Sequence, residues 1–451
     1  MREFIETYIS DNRMIVRGDT VWVAFSGGAD SSCLLHILNE LKSGLGITLK
    51  AVHINHNLRG KESDKDELFC RETCSALGIG LDVHHVHVKE YASENKLTIE
   101  QAARILRYGV FEKECRGKVA LAHNMNDNAE TVLMNLLRGS GTAGLSGIRP
   151  VAGNYIRPLL KTSRKSIEKY CSANGIKYVD DSSNNETVFF RNAIRHEILP
   201  KITEITNKDV IAVIDRASES IFLDNEFIES AAEEAYQEFV NEETEGISID
   251  NEGVKKLHKA IAARILRKAV ADIKGDLKDI EARHTSLLME MVGENRTGAA
   301  IDLPGGVKAL VQFGKTMVYV DNLVKEYEYT MPVQGKIFIK ERNLDIITDI
   351  CDIMETGDPE GDVHYFSTDI CKDGFKIRNR RNGDIIKPWK GIGTVKLKKF
   401  FIDRKVERPS RNNRFLIACG DKIAYVEGIA YGKDFLPDGK GKALRVKIER
   451  R

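Results

Sequence analysis

Residues 21–38 read VWVAFSGGADSSCLLHIL, and three parts follow one another: a short apolar β-rich run, a tight loop of small and hydroxyl residues, and the start of an apolar helical pattern. A nucleotide site needs that order. Gly27 and Gly28 let the main chain approach an anion, and the amides opening the next helix turn their positive dipole end towards it. Around Ala29, the side chains of Ser26, Ser31 and Ser32 add hydroxyl donors. Asp30 would repel a bare phosphate, so a divalent cation between the two is implied, and Mg²⁺ suits that position. No Gly-Lys-Ser/Thr occurs here, which excludes the loop of kinases and ATPases that grips β- and γ-phosphates through a lysine.

Outward from that stretch, residues 1–205 alternate between strand-like runs (21–25, 49–54, 81–88, 119–122) and helical patterns. Alternation of this kind predicts a parallel sheet covered by helices, with ligands at the carboxyl ends of the strands. The candidate chemistry falls there. The second strand ends in His53-Ile54-Asn55-His56, and both histidines are expected to line the nucleotide site; the fourth ends in His123-Asn124-Met125-Asn126-Asp127. Asp127 and Glu130 are three apart at the opening of a helix, so both carboxylates project from one face. They could bind an ammonium group, hold a cation or accept a proton, although an acid in a first helical turn is also ordinary capping chemistry. The helix expected over 98–111, TIEQAARILRYGVF, carries Arg104 and Arg107 inside an apolar segment within reach of the strand ends. His84, His85 and His87 lack a carboxylate or cysteine at ligand spacing and read as core or surface histidines.

Two decoys follow. Gly139 to Gly144 satisfies G-x-G-x-x-G but follows a helix rather than a strand, and Gly314-Lys315-Thr316 lies in an alternating hairpin pattern with Ala309 where a Walker loop has its first glycine.

At 451 residues the chain is too long for one core, since domains run to roughly 100–200 residues. Composition shifts suggest three: an α/β domain over 1–205, an all-helical module from 206 that ends in a β-hairpin by 325, and a basic α+β unit over 326–451. The net charge of +1 argues nothing for nucleic acid, but its distribution does. Over 376–414 basic residues far outnumber the acids, and Arg378, Arg380, Arg381, Lys396, Lys398, Lys399, Arg404 and Lys405 are the candidate contacts to an RNA backbone. The eight cysteines are scattered without a Cys-x-x-Cys, so reduced structural thiols are expected. No apolar run is long enough to span a bilayer, and a cytoplasmic protein with no membrane partner is the default.

Ser-Gly-Gly-x-Asp-Ser resembles the pyrophosphatase loop of the N-type ATP pyrophosphatases, which cleave ATP between the α- and β-phosphates and adenylate an acceptor. HINHNLRG, the helix ending RYGVF, HNMNDNAET, RGSGTAGLSGI, RPLL, DSSN with RNAIRHEILP, and the C-terminal RNRRNGD and KLKKFFIDRKVER narrow the match. Over nearly its whole length the chain resembles the bacterial tRNA(Ile)-lysidine synthetases. The resemblance implies an adenine-nucleotide α-hydrolase-like PP-loop domain followed by helical and α+β tRNA-binding domains. It further implies that cytidine 34 in the CAU anticodon of a minor isoleucine tRNA becomes lysidine through an adenylated intermediate, with ATP and free L-lysine consumed and AMP and pyrophosphate released. In that scheme Asp127 and Glu130 hold and deprotonate the lysine ammonium, and Arg104 neutralises the lysine carboxylate or the adenylate. His123 lines the base pocket, and Arg191 belongs to the active-site wall. Asn126 departs from the family, which often has an acid there, and leaves Asp127 as the better contact for lysine or metal. A homodimer is among the partners considered, although the sequence does not set an oligomeric state. Two alternatives stand beside this one: a tRNA thiolase sharing the loop, disfavoured by the missing cysteine pair, and an ATP-gated RNA-binding protein without catalysis.

Overall fold

The computed structural model describes the chain except residues 59, 180–189, 244, 321–324, 353–361, 369–370, 372–373, 392 and 438–440, and the side chain of residue 409. Its contacts divide into two units, Met1–Phe227 and Ile228–Arg451. The first holds, in chain order, α1 (Arg2–Asp11), β1 (Thr20–Ala24), α2 (Ala29–Leu45), β2 (Thr48–Asn55), α3 (Lys61–Ala76), β3 (Gly80–His85), α4 (Val88–Asn95), α5 (Ile99–Glu114) and β4 (Lys118–Ala120). It continues with α6 (Met125–Leu137), α7 (Thr142–Leu145), β5 (Val151–Ala152), β6 (Tyr155–Ile156) and α8 (Arg164–Ala173). Then α9 (Phe190–Ala193) runs through a π turn, Ile194–Ile198, into α10 (Leu199–Thr206), and α11 (Val210–Phe239) extends past the division.

The sheet order is β3-β2-β1-β4-β6-β5, parallel throughout except for the β5–β6 pair. β1 is central because it can be buried on both faces. Val21, Val23 and Phe25 pack with Leu34, Ile37 and Leu38 of α2, Ile5 and Ile9 of α1, and Ile167 of α8. Trp22 packs oppositely, with Val52, Val119 and Leu121 of the sheet and Phe111 of α5. Each such side chain contributes about 1.5–3 kcal/mol by leaving water. Gly46, left-handed at φ 65°, ends α2, and Thr98 caps α5 with its hydroxyl accepting from the Gln101 amide. The strand expected over 81–88 stops at His85, because Val88 and Ala92 turn inward as a helix against Ala102.

In the second unit, the all-helical module expected from 206 is interrupted. Val240–Glu243 and Gly246–Asp250 form a hairpin that joins Lys315–Val320, Val307–Gln312 and Ala300–Leu303 in one five-stranded sheet. Ile247 and Ile249 are buried there among residues from the helices Lys259–Lys274 and Ala282–Glu294. Gly246 is obligatory: at φ 154°, a Cβ would lie 2.3 Å from the Val318 carbonyl oxygen. The Gly314-Lys315-Thr316 decoy falls in a β-hairpin, and the Gly139 decoy follows α6. The C-terminal part carries two further sheets around a core that includes Phe366, Phe375, Phe415 and Val446. One expectation fails here: Cys371 and Cys419 form a disulfide. Cys419 ends a strand paired with Lys376–Arg378, which brings the two thiols together; the remaining six cysteines form no disulfide and are buried. Among the described residues no helix is long and apolar enough to cross a membrane.

Candidate active site

The loop after β1 turns at Gly27, whose φ of 87° is left-handed and where a Cβ would press on Cys70 Sγ and the Phe69 ring at 3.3 Å. Gly28 instead takes an extended conformation as N-cap of α2, with open space for a Cβ beyond Ser26 Oγ at 3.7 Å. The Ser26 and Ser31 hydroxyls are 3.1 Å apart, and Ser31 donates to the Gly28 carbonyl at 3.0 Å. Ala29 and Ser32 are buried beneath the loop, where Ser32 Oγ donates to the Gly27 carbonyl at 3.2 Å, so Ser32 shapes the cradle from below rather than lining it. His53 is likewise internal, its Nδ1 2.8 Å from the Phe25 carbonyl oxygen and its imidazole held neutral by burial. Both side chains thus face the interior, bonded to the main chain of the loop and of the strand end.

Asp30 Oδ2 accepts from Arg164 Nη1 at 2.5 Å, while Oδ1 is buried with no hydrogen-bond partner. Burial raises its pKa, the Arg164 guanidinium lowers it, and Asp127 raises it again, which marks the acid helix as a neighbour of the loop. Among the described residues no three His, Cys, Asp or Glu side chains assemble into a metal site. Mg²⁺ does not require one, since it takes one or two carboxylates and completes its shell with phosphates and water, and the unpartnered Asp30 oxygen fits that role.

α6 opens with a capping box: the Asn124 amide donates to Asp127 Oδ2 at 3.0 Å and the Asp127 amide to Asn124 Oδ1 at 3.0 Å. The remaining oxygens of Asp127 and Glu130 face two arginines. Arg191 donates through Nε to Glu130 at 2.7 Å and through Nη2 to Asp127 at 3.1 Å; Arg195 donates through Nε to Glu130 at 2.5 Å and through Nη2 to Asp127 at 3.1 Å. Glu130 is wholly buried, and Arg195 stands in the π turn, a distortion common at functional sites. The same helix is anchored on its other side, where buried Asn128 donates to Asp215 and Ser218 of α11 at 3.2 and 3.1 Å. Asn126, where the family often has an acid, accepts from the Arg164 main-chain amide at 3.0 Å.

The two site histidines are neutral. Burial holds His123 down to about 3, helped by Arg157, Arg191 and Arg107, and holds His56 down to about 4, helped by Arg107. Their Nδ1 atoms are buried without partners. Arg104 is exposed over the Tyr108 ring at 4.9 Å; its charge and that of Arg107 both reach His123, and the Arg107 charge reaches His56 as well. Arg195 and Arg107 carried sequence signals, the first four residues after Arg191 and the second three after Arg104. Arg157, in RPLL, and Arg164 had none beyond ordinary helix and loop chemistry. The DSSN segment, 181–184, lies outside the described residues.

Within the second unit, Arg380, Asn382, Lys398, Arg408, Arg411 and Asn412 line a cleft of about 370 Å³. No acid lines it. Arg411 is nearly buried, and its pKa is lowered by burial and then by Arg380 and Arg408. Arg408 and Arg411 were not among the expected contacts, whereas Arg378 was and must be removed. It is buried, donating to both Asp384 oxygens at 3.0 and 2.8 Å and to the Gly420 carbonyl at 2.8 Å. Arg381 is exposed but paired with Glu328 at 2.8 Å. Lys396, Lys399, Arg404 and Lys405 are exposed on or beside the helix Leu397–Asp403.

Residues 3–202 match the PP-loop domain family, and residues 375–448 match the TilS substrate C-terminal domain family. Over its length the chain is similar to the tRNA(Ile)-lysidine synthase of Clostridium acetobutylicum, 35% identical over 455 residues that cover 98% of either chain. The enzyme of that name from Clostridioides difficile is 35% identical over 447 residues, covering 97% of this chain and 96% of its own.

Proposed function

The chain belongs to the tRNA(Ile)-lysidine synthase family, and from that premise we infer that it joins free lysine to C2 of cytidine 34 in the CAU anticodon of a minor isoleucine tRNA, using ATP. The observation that carries the inference is the meeting of two chemistries on neighbouring strands, an anion cradle after β1 and an acid pair, one member buried and one partly exposed, after β4. Cytosine C2 carries an amide-like oxygen that is a poor leaving group until it is adenylated. The helix dipole of α2 and the Ser26 and Ser31 hydroxyls support departure of pyrophosphate from the α-phosphate. Mg²⁺ held by Asp30 would supply charge neutralisation to that leaving group.

The lysine ε-amine, with a free pKa of about 10.4, must lose a proton before it attacks C2. Asp127 is partly exposed and sits at the mouth of the acid pair, so it is the residue to receive the ammonium; buried Glu130 holds Arg191 and Arg195 in place behind it. In this reading Arg104, at the surface, neutralises the lysine carboxylate or the adenylate, and His123 lines the base pocket. As a neutral imidazole His123 serves as a hydrogen-bonding wall and not as a cationic acid. An anticodon base is single-stranded and can be turned into such a pocket, while the cleft around Arg380 and Lys398 supplies sequence-independent phosphate contacts. In this division of labour 1–205 does the chemistry, and 206–325 and 326–451 hold the tRNA in the cytoplasm. The thiolase alternative gains nothing from the cysteines, since those outside the disulfide are each buried.

The test combines the protein with Mg²⁺-ATP, labelled lysine and the unmodified tRNA, beside a transcript with uridine in place of cytidine 34. Label that survives mild alkali and depends on cytidine 34 is the expected result. Alkali-labile label, or none, would remove the lysine chemistry.

A further inference from the structure

A loop that releases pyrophosphate must balance several negative charges, and this one contains no lysine or arginine between residues 25 and 33. The cation that reaches it comes from 134 residues away. Arg164, first residue of α8, bonds Asp30 through Nη1 at 2.5 Å, while its Nε is held by Glu168 one turn on at 2.7 Å. Its main-chain amide is fixed to Asn126 of the acid helix, so the arginine is tied to both halves of the site. Three other cations are committed to acids: Arg191 and Arg195 to Asp127 and Glu130, and Lys161 to Asp215 and Glu219. Arg164 is also about a third exposed, so it can change partners without opening the core.

We propose that Arg164 is the residue that grips the β,γ-end of ATP and the pyrophosphate it becomes. On nucleotide binding its guanidinium exchanges the Asp30 carboxylate for phosphate oxygens, while Glu168 keeps hold of Nε and orients the planar fork. The exchange leaves both Asp30 oxygens to the metal. A guanidinium matches phosphate geometry through paired donors, and thus replaces, from a distant helix, the lysine that other phosphate loops carry within themselves. Arg164 makes and breaks no covalent bond; it binds the leaving group. The assignment rests on the ATP-pyrophosphatase reading of the site.

Calorimetric titration of the full-length protein with inorganic pyrophosphate in Mg²⁺, and separately with AMP, tests it. Loss of a charge-assisted phosphate contact should weaken pyrophosphate binding by Arg164→Gln roughly 10–100-fold, with AMP binding kept. Arg164→Lys, which keeps the charge and guards against misfolding, should recover part of the loss, and Glu168→Gln, which loosens the hold on Nε, should weaken pyrophosphate binding less than Arg164→Gln does, with AMP binding kept. Equal pyrophosphate affinity in the wild type and Arg164→Gln would overturn the proposal and leave the functional reading standing. So would parallel loss of AMP and pyrophosphate with a lowered melting temperature, since that would mark a collapsed loop. A wild type that binds neither ligand would overturn the reading itself, and the proposal with it.

Discussion

Beside β4, Arg191 and Arg195 meet Asp127 and Glu130, two guanidiniums on two carboxylates; in the C-terminal cleft, Arg380, Lys398, Arg408 and Arg411 face one another with no acid among the lining residues. The first cluster is nearly neutral, directional and fixed before any ligand arrives. The second keeps its charge. Paired arginines present geometry to a small zwitterion, whereas unpaired ones present a field to a polyanion, whose counterions they displace. Arg378 and Arg380 show both conditions two residues apart, one locked to Asp384 in the core and the other turned to the cleft.

The largest effect expected from this contrast is structural. Arg378→Ala strands a buried Asp384 and should destabilise the second unit by about 3–5 kcal/mol, seen in chemical denaturation, without altering the salt dependence of RNA binding by the folded fraction. A changed salt slope would put Arg378 back among the RNA contacts. Next, Glu130→Gln leaves the paired arginines without their buried anion. Lysine transfer should fall by at least about 100-fold while tRNA affinity holds, and a loss below tenfold would show that the pair is structural. Third, Arg380→Gln combined with Arg408→Gln should lower the log–log salt slope of tRNA binding by about 2, roughly one per phosphate contact. An unchanged slope would leave the cleft as a solvated surface. The smallest effect concerns pH. His56 and His123 are held near 4 and 3 in the fold, mainly by burial, against about 6.5 when unfolded. Between those values the unfolded chain binds more protons, so their contribution is complete above about pH 6.5 and is lost as pH falls towards 4. Melting temperatures measured from pH 7.5 to 5 should decline less steeply in His123→Gln; equal slopes would mean that His123 titrates normally.

Much of the first unit was legible because its strand-like runs alternate with helical patterns and stop near Gly, His or Asn, and a parallel sheet puts those stops on one edge. The pairing of Asp127 with Glu130 was legible from helical spacing. Arg164 was not, since nothing local in TSRKSIEKY separates an arginine that meets a loop 134 residues away from one that meets water. The hairpin Val240–Glu243 with Gly246–Asp250 was hidden by its acids, which read as a continuation of the preceding helix; its inward Ile247 and Ile249 belong to the core and Val240 packs against it. The basic stripe misled at Arg378 because charge runs report composition, whereas burial depended on Asp384 folding back across a turn six residues later.

The Cys371–Cys419 bond joins the two ends of the segment that contributes every residue lining the cleft. A protease that cuts the exposed turn around Asn382 and Gly383 would therefore leave two pieces that still migrate as one chain until a reductant is added. Cleavage there would be invisible on a non-reducing gel, and the difference between the two gels would report the fraction of molecules in which the bond has formed.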